Sequence, residues 1–169
     1  MSEQSSQQPT REEAVNIIAG FIKDIKFAML STVNDAGHIH ARPMTTQQQE
    51  FDGDLWFLGA KDSEYAADLK SRPQVNVSYA SAEKGEFVSI TGTGELIDDR
   101  AKLDELWSDF YKAYYPEGKE DPNIQLIKVS AHGAEFWESE GKARSIFELA
   151  KGMLKHEQAN MGQNGTVKL

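Results

Sequence analysis

The spacing of apolar residues changes twice along the chain. Ile17, Ile18, Phe21, Ile22 and Ile25 recur at helical intervals, and Thr10 with Glu13 three residues later makes a capping box. This pattern predicts an amphipathic helix with one buried face. From residue 27 the period shortens. Residues 27–33 (FAMLSTV) are a short apolar run, Asn34-Asp35-Ala36-Gly37 is a turn cluster, and residues 39–46 complete a hairpin. In its second strand His40, Arg42 and Met44 share one face, and Ile39, Ala41 and Pro43 share the other. Proline cannot donate to a ladder, so Pro43 predicts an edge or a bulge.

The short-strand pattern continues. Residues 55–58 (LWFL) form a third strand, and Asp62 or Ser63 caps a short helix that Pro73 stops. Val75, Val77 and Tyr79 alternate with polar residues as a fourth strand. Residues 87–97 form a long fifth strand, whose Gly92 and Gly94 predict a sharp bend or a close backbone approach. Asp98 caps a helix with Leu103, Leu106, Trp107, Phe110 and Tyr114 on its apolar face, ended by Pro116 and Gly118. Residues 124–129 and 134–138 read as two further strands, and residues 145–155 as a last helix.

Seven short strands with few helices between them do not form βαβ units. The expected class is mainly β with flanking helices, an antiparallel barrel with helices at its ends. Residues 1–9 are expected to be a disordered tail, 10–155 one domain, and 156–169 a C-terminal tail of which Thr166 to Leu169 can pin back onto the body.

Composition narrows the function. The chain has 169 residues, a formal charge of −9 and no cysteine. The charge disfavours nucleic acid and anionic membranes, because no basic face is present to neutralise phosphates. The lack of cysteine excludes disulfides and thiolate metal sites and favours a cytoplasmic setting. No apolar run is long enough to span a membrane, and residues 1–9 lack the basic start and apolar stretch of a secretory signal. His38 and His40 share a strand face without a third ligand nearby, so no metal site is expected. Thr91-Gly92-Thr93-Gly94 opens no helix and is not a phosphate loop. Side chains alone suggest no catalytic constellation. Any chemistry would come from a cofactor.

Several segments resemble the general stress protein family, a branch of the pyridoxamine 5′-phosphate oxidase-like, FMN-binding split β-barrels. They are Ala28-Met29-Leu30-Ser31-Thr32, Ala41-Arg42-Pro43-Met44, Asp54-Leu55-Trp56-Phe57-Leu58, Asp62-Ser63, and the run from Arg72 to Tyr79. Val88 to Gly92, Leu106-Trp107, Asp121-Pro122 and Glu135-Phe136-Trp137 continue the likeness in order. It covers about residues 12 to 140.

The resemblance implies a six-stranded split barrel that forms a homodimer and holds FMN, with FAD the alternative, in clefts between subunits. It places Arg42 on the flavin phosphate or ring edge, Pro43 and Met44 against the flavin, and backbone contacts at Leu58 and Gly59. It puts Ser63 on the phosphate at a helix start and Trp137 on the flavin from the partner subunit. Two positions depart from the pattern. Tyr65 stands where a basic residue is frequent, and Gly59 where threonine is common, so flavin affinity is expected to be lower unless Lys61 substitutes. Arg144 is followed two residues later by Ile146 and not by histidine, which argues against vitamin B6 oxidation. The implied function is a flavin-dependent oxidoreductase with an unidentified small substrate. The alternatives are a non-catalytic flavin-binding stress or sensor protein, and a barrel dimer that has lost its flavin.

Overall fold

The computed structural model describes residues 9–47, 50–138 and 163–169. It opens with α1 (Arg11–Ile22), whose cap is the predicted box: the Glu13 amide donates to the Thr10 hydroxyl, and the Thr10 amide donates to the Glu13 carboxylate at 2.7 Å. Ile17, Ile18, Phe21 and Ile22 are its buried face. The strands β1 (Phe27–Val33), β2 (Ile39–Thr45) and β3 (Asp54–Ala60) follow, then α2 (Glu64–Ser71), β4 (Gln74–Ser81), β5 (Glu86–Ile97), α3 (Arg100–Leu106), β6 (Ile124–Glu138) and β7 (Gln163–Lys168).

All pairings are antiparallel, in the order β2-β1-β4-β5-β6-β3. β2 and β3 therefore lie at the two ends of the path. They touch but share no ladder among the described residues, which leaves the barrel split between them. This edge position accommodates Pro43. Inward alternation builds the core from Leu30, Val77, Ile90, Ile127, Val129 and Phe136, all nearly inaccessible to solvent. α1 closes one end, with the rings of Phe21 and Phe136 5.0 Å apart. Leu58, Leu103, Leu106, Tyr111, Tyr115 and Leu126 make a second, smaller core.

Three expectations need correction. The helix after residue 98 is capped by Asp99 and ends at Leu106. Trp107 is extended, and the chain re-enters as a 3₁₀ turn over Asp109–Ala113, which brings Trp107 against both Tyr111 and Tyr115. Aromatic packing here outweighs continuation of the helix. The two strands expected over 124–138 are one. Thr91 pairs with Gly133 and Gly92 with Ala131, so His132 is the extra residue of a bulge, its ring 3.0 Å from the Thr93 hydroxyl. Within the expected C-terminal tail, residues 163–168 are a strand: Thr166 to Lys168 do pin back, and the pairing of β7 with β6 starts earlier, at Gln163, and buries Val167. The helix expected over 145–155 and all but Pro9 of the expected N-terminal tail lie outside the described residues.

The glycines of β5 mark close approaches, as expected. A Cβ on Gly92 would come 2.6 Å from the Ser130 carbonyl oxygen, and one on Gly94 would come 2.6 Å from a Leu69 methyl. Gly94 thus lets α2 rest directly on the sheet.

Candidate functional site at the split of the barrel

The sequence-predicted residues fall into three groups. Arg42, Pro43 and Met44 lie on β2. Leu58 and Gly59 lie on β3, across the split, and Ser63 and Tyr65 begin α2 immediately after β3. Contacts at the split link Arg42 to Tyr65, Tyr65 to Gly59 and Ala60, and Ser63 to Ala60. Trp137, expected to reach the flavin from the partner subunit, is not among these contacts of one protomer.

Arg42 is half-buried and held from two sides. Its Nη1 donates to the Thr32 hydroxyl at 2.7 Å, and that hydroxyl donates onward to Asp68 of α2 at 2.8 Å. Its guanidinium lies 5.0 Å above the Tyr65 ring. It forms no ion pair among the described residues. A guanidinium carries five donors, so most of its hydrogen-bonding capacity stays open to an anion. Pro43 is exposed on the outer face, whereas Met44 is buried in the core. Alternation along β2 places these neighbours on opposite faces.

The peptide joining Gly59 to Ala60 is engaged at both polar atoms. The Tyr115 hydroxyl donates to the Gly59 carbonyl at 2.7 Å, and the Ala60 amide donates to the Tyr65 hydroxyl at 2.9 Å. Burial pushes the Tyr115 phenol well above its usual range, with the neighbouring Tyr65, Tyr111 and Asp121 adding to the effect. Leu58 is buried beside Tyr115 in the smaller core.

Ser63 is the N-cap of α2. Its hydroxyl donates to the Ala60 carbonyl and accepts from the Ala66 amide. The amides of Glu64 and Tyr65 in the first turn have no acceptor among the described residues, the ordinary state of a helix start. Lys61 is exposed beside them, as are Asp62 and Glu64. The Asp62 carboxylate accepts from Asn123 Nδ2 at 2.9 Å. A phosphate here would meet amides and cations from one side and acidic side chains from the other.

Trp137 sits elsewhere. It is opposite Phe87 on the outer face, and the two rings are 38% and 44% exposed. Trp137 lies on the part of β6 beyond residues 124–130, which pair with β3, and its ladder neighbours are on β5 and β7 and not on β2 or β3. Thr32, Asp68 and Tyr115 belong to the site and were not expected from the sequence. Each acts through contacts between residues 10 to 56 positions apart, which no local motif records.

Among the described residues no cluster of His, Asp or Glu could hold a metal ion, and no helix is long and apolar enough to cross a membrane.

Comparison with known proteins places this geometry. The chain is 24% identical to protein bli-3 of Neurospora crassa, over 90% of this chain and 78% of that protein. Its fold superposes on a protein related to general stress protein 26 from Clostridium acetobutylicum with a TM-score of 0.70 at 19% identity, covering 93% of this chain and 96% of that one. It superposes on the general stress FMN/FAD binding protein of Xanthomonas citri with a TM-score of 0.66 at 28% identity, covering 89% and 99%. Residues 13–160 match the pyridoxamine 5′-phosphate oxidase like family. With its six-stranded antiparallel path open between β2 and β3, the chain belongs to that family and has its split-barrel fold.

Proposed function

We propose that the chain binds FMN at the split of the barrel, in a cleft completed by a second copy of itself, and acts as a flavin-dependent oxidoreductase on a small substrate. The observation that carries the reading is Arg42. A half-buried cation, aimed by Thr32 and lacking any carboxylate partner among the described residues, is suited to an anionic ligand. The open amides at the start of α2 and the exposed Lys61 suit the same ligand. The flavin-binding name of the Xanthomonas citri relative supports FMN or FAD as that ligand.

The outer face supports the dimer. Met29, Phe87 and Trp137 are exposed there, with Pro43 beside Met29 across the β1–β2 ladder. Such a face favours a second copy. The partner's surface would then bring its own aromatic residues to the cleft. Bound flavin supplies hydride or single-electron transfer at its ring. Around it Arg42 fixes the anion, Tyr65 holds Arg42, and Tyr115 holds the adjoining peptide of β3. The acidic, cysteine-free composition suits a cytoplasmic setting.

Titration of the purified protein with FMN and with riboflavin tests the reading. Wild type is expected to bind both, FMN more tightly. Arg42→Ala is expected to weaken FMN about ten- to a hundredfold and riboflavin much less, since a charge-assisted contact contributes about 1.5–3 kcal/mol. Equal losses for both ligands place Arg42 away from the phosphate, and no flavin binding at all defeats the proposal. Steady-state NAD(P)H oxidation with added flavin separates an oxidoreductase from a non-catalytic flavin-binding stress or sensor protein.

A further inference from the structure

Beyond Thr45, β2 leads into a groove of about 850 Å³ between the α1–β1 link and the aromatic segment that follows α3. Trp107, Phe110 and Tyr111 form one wall. Trp107 and Phe110 each lie within 6 Å of Tyr111, ring to ring, and Phe110 remains 39% exposed. Gln47 steadies this wall, its Nε2 donating to both the Tyr111 hydroxyl and the Thr45 carbonyl. An exposed ring at a groove gains by covering its face with another planar group.

Charge selects the ligand further. Lys23, Asp24, Lys26 and Glu105 line the groove. Asp24 is paired with Lys84 at 3.2 Å and Glu105 with Lys102 at 3.1 Å, both lysines lying outside the lining. Lys23 and Lys26 form no ion pair among the described residues. Lys26 Nζ instead lies 4.8 Å from the Phe110 ring centre and 5.3 Å from that of Phe27. Each carboxylate of the lining is thus paired with a lysine, which leaves Lys23 and Lys26 as the cations open to a ligand, on a chain of net charge −9.

We propose that this groove binds a planar aromatic anion, its ring against Phe110 and Trp107 and its anionic group on Lys26 and Lys23, and that this is the substrate class of the oxidoreductase. The assignment as substrate rests on the flavin reading above, because the groove opens at the end of β2, the strand that carries Arg42. The binding site itself does not depend on it.

Calorimetric titration of the full chain with 2-naphthoate, 2-naphthalenemethanol and cyclohexanecarboxylate, without flavin and with saturating FMN, tests both parts. Wild type is expected to bind 2-naphthoate saturably and about tenfold more tightly than either analogue. Lys26→Gln should reduce naphthoate affinity to that of the alcohol and leave the alcohol unchanged. Phe110→Ala should weaken both aromatic probes. Both side chains are at the surface, and an unchanged melting temperature confirms folding. The FMN affinity of both variants should equal that of wild type. No saturable naphthoate binding, or affinities unaltered by both substitutions, overturns the site. Mutual exclusion of naphthoate and FMN also overturns it and assigns the groove to the flavin. Failure to bind FMN at all overturns the substrate assignment alone, since the flavin-free titration then judges the groove by itself.

Discussion

Tyr65 lies so closely over Gly59 that a Cβ on the glycine would come 2.7 Å from the tyrosine hydroxyl. These are the two positions at which the family resemblance leads one to expect a threonine and a basic residue. The contact makes the two departures one structural change: the ring and its hydrogen bond to the Ala60 amide need the bare backbone of Gly59. Gly59→Ala is therefore expected to destabilise the protein by about 1–3 kcal/mol through overpacking. In a Tyr65→Ala background the same substitution should lose most of that effect. Urea denaturation of the four proteins gives the coupling energy, and additive effects would deny the relationship.

The same contact bears on Tyr65→Lys. Lysine removes the hydrogen bond to Ala60 and uncovers Gly59, so the melting temperature should fall. It also places a cation beside the open amides of α2, where Asp62 and Glu64 now contribute only negative charge. The ratio of FMN to riboflavin affinity is expected to rise about tenfold, and salt should erode part of the gain. A lower melting temperature with an unchanged ratio would show that no phosphate sits at this helix start.

The elements legible in the sequence were those with a strong local signature. The Thr10–Glu13 box, the 27–33 strand and the turn at Gly37 all announce themselves within a few residues. The break at Trp107 does not, because Leu103, Leu106, Trp107 and Phe110 keep helical spacing, and only packing on Tyr111 and Tyr115 ends the helix. The bulge at His132 hides similarly, since Ser130 to Gly133 reads as a polar interruption between two strands. At the site, Arg42 was visible through its motif. The Thr32 and Asp68 that aim it were not, because hydrogen bonds across strand and helix leave no periodic trace.

The outer face of the sheet makes a prediction about assembly. Phe87 and Trp137 sit opposite each other across β5 and β6, both substantially exposed. Light scattering is expected to report a dimer of the 18.9 kDa chain at micromolar concentration. Phe87→Asp places a charge in the centre of the proposed contact and should yield a folded monomer. A wild-type monomer would remove the partner's contribution to the flavin cleft, and a Phe87→Asp dimer would move the contact elsewhere on the molecule.

Glu86 and Glu138 face each other across β5 and β6, both pointing inward and both buried. Neither carboxylate oxygen of Glu138 has a hydrogen-bond partner among the described residues. Burial, and then the neighbouring charge of Glu86, push the Glu138 carboxyl up to about 7. The unfolded chain should titrate near the ordinary value of about 4.3. Between these values the folded state holds more protons than the unfolded one. Stability from this group is thus fully present below about pH 4.3, declines as pH rises, and is lost above about pH 7. Glu138→Gln keeps the side-chain shape without the charge. It is expected to be more stable than wild type at pH 8 by about 1–3 kcal/mol, or about 2–4 °C per kcal/mol in melting temperature. Near pH 4.3 the difference should vanish. Thermal denaturation of the two proteins from pH 4.3 to 8 measures it, and parallel curves over that range would show that Glu138 is ionised in the fold without penalty.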